Sequence, residues 1–123
     1  MRLQARRWAD AIAIAPSGRL DHENSESFRE GVKTQLDGAS GGASIVLDFS
    51  DLEYVSSAGL RALMLVMNQA KAQGTRVVVA ALQPVVAEIF EISRFNMVFS
   101  VFATVREALA SISPAAVAAF DAA

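Results

Sequence analysis

Hydrophobic and polar positions change period several times along the chain, and each change marks an element. Ser44 to Phe49 and Arg76 to Leu82 are short, nearly unbroken apolar runs, the pattern of strands covered on both faces of a parallel sheet. Between Asp21 and Leu36, Phe28, Val32 and Leu36 recur every four residues, which predicts a helix with Asn24 or Ser25 as its cap. Ser56 to Gln73 is a second helix, stopped by Gly74 just past its end. Pro84 opens a third, whose apolar face is read as Val85, Val86, Ile89, Phe90 and Ile92. Val98 to Phe102 is a last strand. Thr104 and Glu107 then form a capping-box pattern that starts a final helix ending near Ser113. Leu3 to Trp8 and Ala11 to Ala15 read as a hairpin about Ala9-Asp10, although alanine is a poor strand former. Gly38 to Gly42 (GASGG) is a linker.

Strands alternating with helices predict an α/β domain built on a parallel sheet. The domain is expected to span residues 1–112. The alanine-rich tail, 113–123, has Val117 and Phe120 as its only large apolar groups and is expected to be frayed or packed on a partner.

The second helix carries the most information. On a wheel of about 100° per residue, Leu60, Leu63, Val66, Met67 and Ala70 share the core side. Ser57, Arg61, Leu65, Asn68 and Ala72 lie opposite, with Met64 at one edge and Ala58 and Ala62 at the other. Leu65 reads either as a lone exposed leucine or as the centre of a flat protein-binding patch, where small neighbours admit a partner's backbone. Ser56 and Ser57 both stand where an N-cap belongs. One hydroxyl suffices for the cap, so Ser56 is expected to take it and Ser57 to point outward. A phosphate on Ser57 would add about −1.5 to −2 charges. The free amides and dipole of the helix start would tolerate that charge, and Arg61 lies one turn on to pair with it. The fold would survive, and the effect would fall on whatever packs over this end.

Composition narrows the function. The 123 residues contain no cysteine, which excludes a disulfide scaffold, a cysteine nucleophile and thiolate zinc sites, and fits a reducing cytoplasm. A net charge of −2 offers no basic field for nucleic acid. No apolar run spans a bilayer, and Asp10, Arg19 and Asp21 interrupt any signal-peptide core, so neither membrane nor export is expected. GASGG lacks the Lys-Ser or Lys-Thr of a phosphate-cradling loop. His22, the only histidine, sits between Asp21 and Glu23 without a nucleophile or oxyanion hole and reads as surface. Asp48, Asp51 and Glu53 follow a strand, where carboxylates can hold magnesium, but their spacing does not show convergence. They read as a solvated loop beside the helix start. Phe90, Phe95, Phe99 and Phe102 read as core. No catalytic residue, metal or cofactor is expected.

Three stretches then make the chain recognisable: GRLDHENSESF (Gly18 to Phe28), IVLDFSDLEYVSSAGLRALMLVM (Ile45 to Met67) and LQPVVAEIFEISRFNMVF (Leu82 to Phe99). In order and spacing the chain resembles the STAS family, specifically the bacterial anti-sigma factor antagonists, from about Leu3 to Ile112. The resemblance implies a mixed, mostly parallel sheet of about five strands, with four helices mainly on one side. It also implies a phosphorylated serine in a D-S-[ST]-G-L motif at the start of the second helix, which aligns with Ser57. Ser56 falls on the family's acidic position, which makes it an alternative acceptor. Asp21 matches a position near the phosphorylated loop.

By the same resemblance, the unphosphorylated form binds an anti-sigma factor that is also a serine kinase, and so frees the sigma factor. Phosphorylation breaks the complex and a PP2C-like phosphatase restores it. Asp21, Ser56, Ala58, Arg61, Met64, Leu65 and Asn68 would contact the partner. The protein is expected to be cytoplasmic, and a monomer or weak dimer. A competing reading keeps the fold but makes it a permanent interaction subunit of a membrane transport or stress-sensing complex, with Ser57 a bystander.

Overall fold

The computed structural model describes residues 1–39 and 42–123. Ser40 and Gly41, the middle of the GASGG linker, lie outside them. The elements run β1 (Leu3–Trp8), β2 (Ala11–Pro16), β3 (Gly18–Leu20), α1 (Ser25–Gly38), β4 (Ser44–Asp48), β5 (Leu52–Val55), α2 (Ser57–Gln73), β6 (Val77–Ala80) and α3 (Pro84–Ile92). A 3-10 turn (Phe95–Met97) follows, then β7 (Ser100–Phe102), α4 (Val105–Ile112) and α5 (Pro114–Ala122).

The main sheet has five strands in the order β1-β2-β4-β6-β7. β1 and β2 are antiparallel, joined at Ala9-Asp10 with Ala9 at a positive φ of 57°; every later pairing is parallel. Strands are added in one direction, so right-handed crossovers place every connecting helix on the same face. α1, α2 and α3 accordingly share one core with Ile12, Ile14, Ile45, Leu47, Val77 and Val79. The last helices are not crossovers and are free to take the other face. There Ala108, Leu109 and Ala116 of α4 and α5 pack on Ala11, Ala13, Val46, Val78 and Ala80. The expected sheet is present, with five α-helices divided three and two between its faces.

The residues 113–123 are therefore not frayed but folded back on the domain. Ser113 caps α5 by accepting from the Ala116 amide at 3.0 Å, and its hydroxyl donates to Asp10 in the hairpin turn. Phe120 meets Trp8 edge to face at 5.4 Å, while Arg106 grips Asp121 with two hydrogen bonds, of 2.9 and 3.1 Å. The alanines of α5 gave no clue to this, because its aromatic partner lies at the opposite end of the sequence. The hydrogen bond from Arg106 holds the Asp121 carboxyl below its ordinary range. A depressed carboxylate stabilises above its unfolded pKa and stops doing so as pH falls through the folded one. Both side chains are exposed, so this contribution is small.

Two further expectations need correction. In α3 only Val86 and Phe90 are buried, whereas Val85 and Ile92 are exposed. Val85 and Ile92 are seven residues apart and so share one side of the helix, the side turned to solvent, while Val86 and Phe90 turn to the core. Asn24 occupies the N-cap position of α1, but its side chain makes no capping bond. It is turned back instead, accepting from the Asp21 amide and donating to the Arg19 carbonyl. Phe90, Phe95 and Phe99 form an aromatic cluster in the first core, and Phe102 borders the second.

The short strands β3 and β5 were not expected at all. They form a separate parallel ladder beside the main sheet, pairing Arg19 with Tyr54 and Leu20 with Val55. α2 starts directly against this ladder. A Cβ on Gly59 would lie 2.7 Å from the Leu20 carbonyl oxygen and 2.9 Å from both Leu20 Cγ and Val55 Cγ1. Gly59→Ala should therefore force the helix off the ladder and cost about 1–3 kcal/mol, the usual range for overpacking. Urea unfolding would read this as a lower midpoint. Phe120→Ala should cost about 1–2 kcal/mol, below a fully buried phenylalanine because Phe120 is only half buried. Asp121→Asn should cost far less than Phe120→Ala in the same unfolding experiment.

Candidate functional site

The start of α2 is built from backbone outward. The Ser56 amide donates to the Leu20 carbonyl at 2.9 Å, tying the end of β5 to the end of β3. Ser56 is extended (φ −85°, ψ 176°), and its Oγ accepts from the Gly59 amide at 3.2 Å. The Leu60 amide closes the first helical turn on the Ser56 carbonyl at 2.9 Å. Ser56 is thus engaged through amide, carbonyl and hydroxyl. Ser57, the first helical residue, faces away from Gly59 and is exposed, with no hydrogen bond from its hydroxyl among the described residues. The two serines divide as the sequence suggested: one caps, the other stands free.

The turn before α1 lies beside this start, because Leu20 connects the two. Asp21 is half buried, and its carboxylate accepts from the Glu23 amide at 3.0 Å. Its backbone carbonyl accepts from Ser25 at 2.8 Å. Asp21 therefore shapes the turn that flanks Ser56. Next to it, the Arg19 guanidinium lies 4.3 Å over the Tyr54 ring.

Along α2, Arg61, Leu65 and Asn68 are exposed, Ala58 and Met64 half exposed. Leu65 keeps 44% of its surface. The wheel misplaced two residues. Ala62 is buried at 4% exposure, whereas Leu60 is only partly buried at the border of the core. α1 packs along the Ala62 flank, so the covered face of α2 is turned toward α1.

That contact creates a feature the sequence reading missed. Ser25, Glu26 and Arg29 of α1 face Ala58, Arg61, Ala62 and Leu65 of α2 across a shallow groove of about 220 Å³. Arg29 is held by Glu26 at 2.7 Å. Ser25, Glu26 and Arg29 do recur at helical spacing. Which flank of α1 would meet α2 was not readable from α1 alone. Of the expected contact residues, Ala58, Arg61 and Leu65 line the groove; Asp21, Ser56, Met64 and Asn68 do not, although Asn68 is exposed and the other three are half exposed.

The other constellations do not assemble here. His22 is exposed. Among the described residues, no three histidine, aspartate or glutamate side chains gather in metal-binding geometry. Asp48 is not beside the helix start as expected. It shares the sheet face of Val46 and lies in a cleft on the far side, with Oδ1 accepting from the Ser50 amide at 3.0 Å. No helix among the described residues is long and apolar enough to cross a membrane.

Comparison with known proteins agrees with this geometry. The STAS domain family profile matches residues 2–108. BtrV of Bordetella bronchiseptica, a candidate anti-sigma factor antagonist, is 39% identical over 103 residues, covering 83% of this chain and 86% of its own. An anti-sigma factor antagonist from Mycobacterium paratuberculosis shares the fold at a TM-score of 0.79, with 18% identity over 89% of this chain and 92% of its own. SpoIIAA of Bacillus matches in its unphosphorylated form at a TM-score of 0.72, with 24% identity over 90% of this chain and 96% of its own. Its phosphorylated form matches at 0.67, with 22% identity over 91% of this chain and all of its own. The chain belongs to the STAS domain family, among the anti-sigma factor antagonists.

Proposed function

We propose that this protein is a non-catalytic partner switch controlled at Ser57. With the hydroxyl free, the exposed face of α2 and its groove with α1 dock on an anti-sigma factor that is also a serine kinase, releasing a sigma factor. The kinase uses ATP to phosphorylate Ser57 and the complex separates. A PP2C-like phosphatase returns the protein to its binding form.

The observation that carries this reading is the position of Ser57. It is exposed at the first turn of α2, and Ser56 already performs the capping. The amides of Ser57 and Ala58 have no acceptor among the described residues, so the helix start can receive an anion. Arg61 is exposed one turn on, at pairing distance along a helix. A phosphate there leaves the core untouched and adds charge and bulk where a partner must close over Leu65. That SpoIIAA keeps the same fold in both forms supports a switch that acts on docking rather than on folding.

Incubation with the cognate kinase and ATP, followed by mass spectrometry, should place the phosphate on Ser57 and none on Ser57→Ala; a phosphate on Ser56 instead would move the switch by one residue. Ser57→Asp should leave circular dichroism and the unfolding midpoint unchanged while weakening kinase binding about a hundredfold, equivalent to about 2.7 kcal/mol. Normal binding by Ser57→Asp would point to the permanent-interface reading. Leu65→Asp should weaken docking at least tenfold, measured by titration calorimetry, without lowering the unfolding midpoint, because Leu65 is already largely exposed.

A further inference from the structure

The two faces of β2 differ sharply. Ile12 and Ile14 face the first core, and Ala11, Ala13 and Ala15 face the second. Across the hairpin these alanines pair with the large residues of β1: Ala11 with Trp8, Ala13 with Arg6, Ala15 with Gln4. Small residues beneath long ones leave the floor low. α4 and α5 do not fill the space, and a cleft of about 300 Å³ remains. Its volume is at the lower end of the range for small-molecule sites, about 300–1,000 Å³.

The cleft has a defined chemistry. Trp8 and Phe120 form an aromatic wall, fixed by their edge-to-face contact. Ala13, Ala15 and Val105 make an apolar floor and side. Arg6 projects over the Trp8 ring at 4.7 Å, and Asp48 enters from the end of β4. Oδ1 of Asp48 is taken by Ser50; among the described residues, Oδ2 has no partner, and neither carboxylate oxygen comes within 4.0 Å of Arg6. An exposed cation and a half-buried carboxylate thus share one small cleft, with the Gln4 side chain also on its wall, without pairing. A ligand with both charges and an apolar body would satisfy them together: its carboxylate on the guanidinium, its ammonium on Asp48, its side chain against Trp8 and the alanines.

We propose that this cleft binds a small zwitterion of the α-amino acid class with an apolar side chain. The site lies across the sheet from α2, so it is separate from docking at Ser57 and does not depend on that reading.

Trp8 is the only tryptophan, so its fluorescence reports the cleft directly. The test titrates the full chain with phenylalanine and leucine, and with phenylethylamine and phenylpropionate, each lacking one charge. A saturable change is expected with one or both amino acids, at least tenfold weaker when either charge is removed. Ala15→Leu should fill the cleft and abolish the change, while Ser57→Asp binds as the parent does. Should Ala15→Leu fail to fold, Arg6→Gln and Asp48→Asn serve instead; Asn retains an acceptor for Ser50, and each variant should weaken binding at least tenfold. No saturable response to either amino acid would overturn the proposal. So would equal affinity for the charge-deleted compounds, or undiminished binding in a folded Ala15→Leu or in the two charge variants.

Discussion

The start of α2, where Ser57 stands, is fixed by a hydrogen bond between two backbones. The Ser56 amide donates to the Leu20 carbonyl, and the glycine three residues later lets α2 rest on that same carbonyl without a side chain between them. The helix start is thereby held by the β3–β5 ladder, with the Ser56 hydroxyl closing the cap. None of this uses Ser57. Its hydroxyl is free of structural duty because the residues on either side of it already meet the helix's needs. A negative charge can then be added at low cost to the fold, which is the condition for a modification that changes association and leaves the structure alone.

Much of this was readable in the sequence, and the limits have physical causes. β4 and β6 stand out as short apolar runs and α2 by its helical period, while Gly74 closes α2 and Thr104 opens α4 clearly. The division of labour between Ser56 and Ser57 followed from the fact that one cap needs one oxygen. β3 and β5 were missed because three- and four-residue strands carry almost no periodic signal. The exchange of Leu60 and Ala62 at the edge of the core has another origin. A wheel orders residues by angle, but the neighbouring helix decides where burial begins, and α1 leans toward the alanine side. The fate of residues 114–122 was hidden for a similar reason, since Phe120 acquires meaning only against Trp8.

The sheet separates two chemistries. Its first face, lined by the isoleucines and valines of β2, β4 and β6, supports the helices that present Ser57, Arg61 and Leu65. The second face is shallower, because alanine occupies every position that β2 offers it. A shallow face brings α4 close near Ala108 and leaves room beside Arg6 and Asp48, over Ala13 and Ala15. The alternation of isoleucine and alanine in a five-residue stretch therefore determines both a packed core and an open cleft.

The monotonic strand order has a bearing on how the chain is made. On the ribosome the hairpin emerges before the other strands of the main sheet, and each later strand finds a free edge already waiting, so none must wedge between two earlier ones. Assembly can proceed by successive addition, with short loops closed before long ones. The second face is the exception. α4 and α5 follow all the strands in sequence, yet α5 must travel back to Trp8 in β1. Until α5 has emerged, the alanine side of the nascent sheet stays bare, so the second face is sealed only after every strand of the sheet is in place.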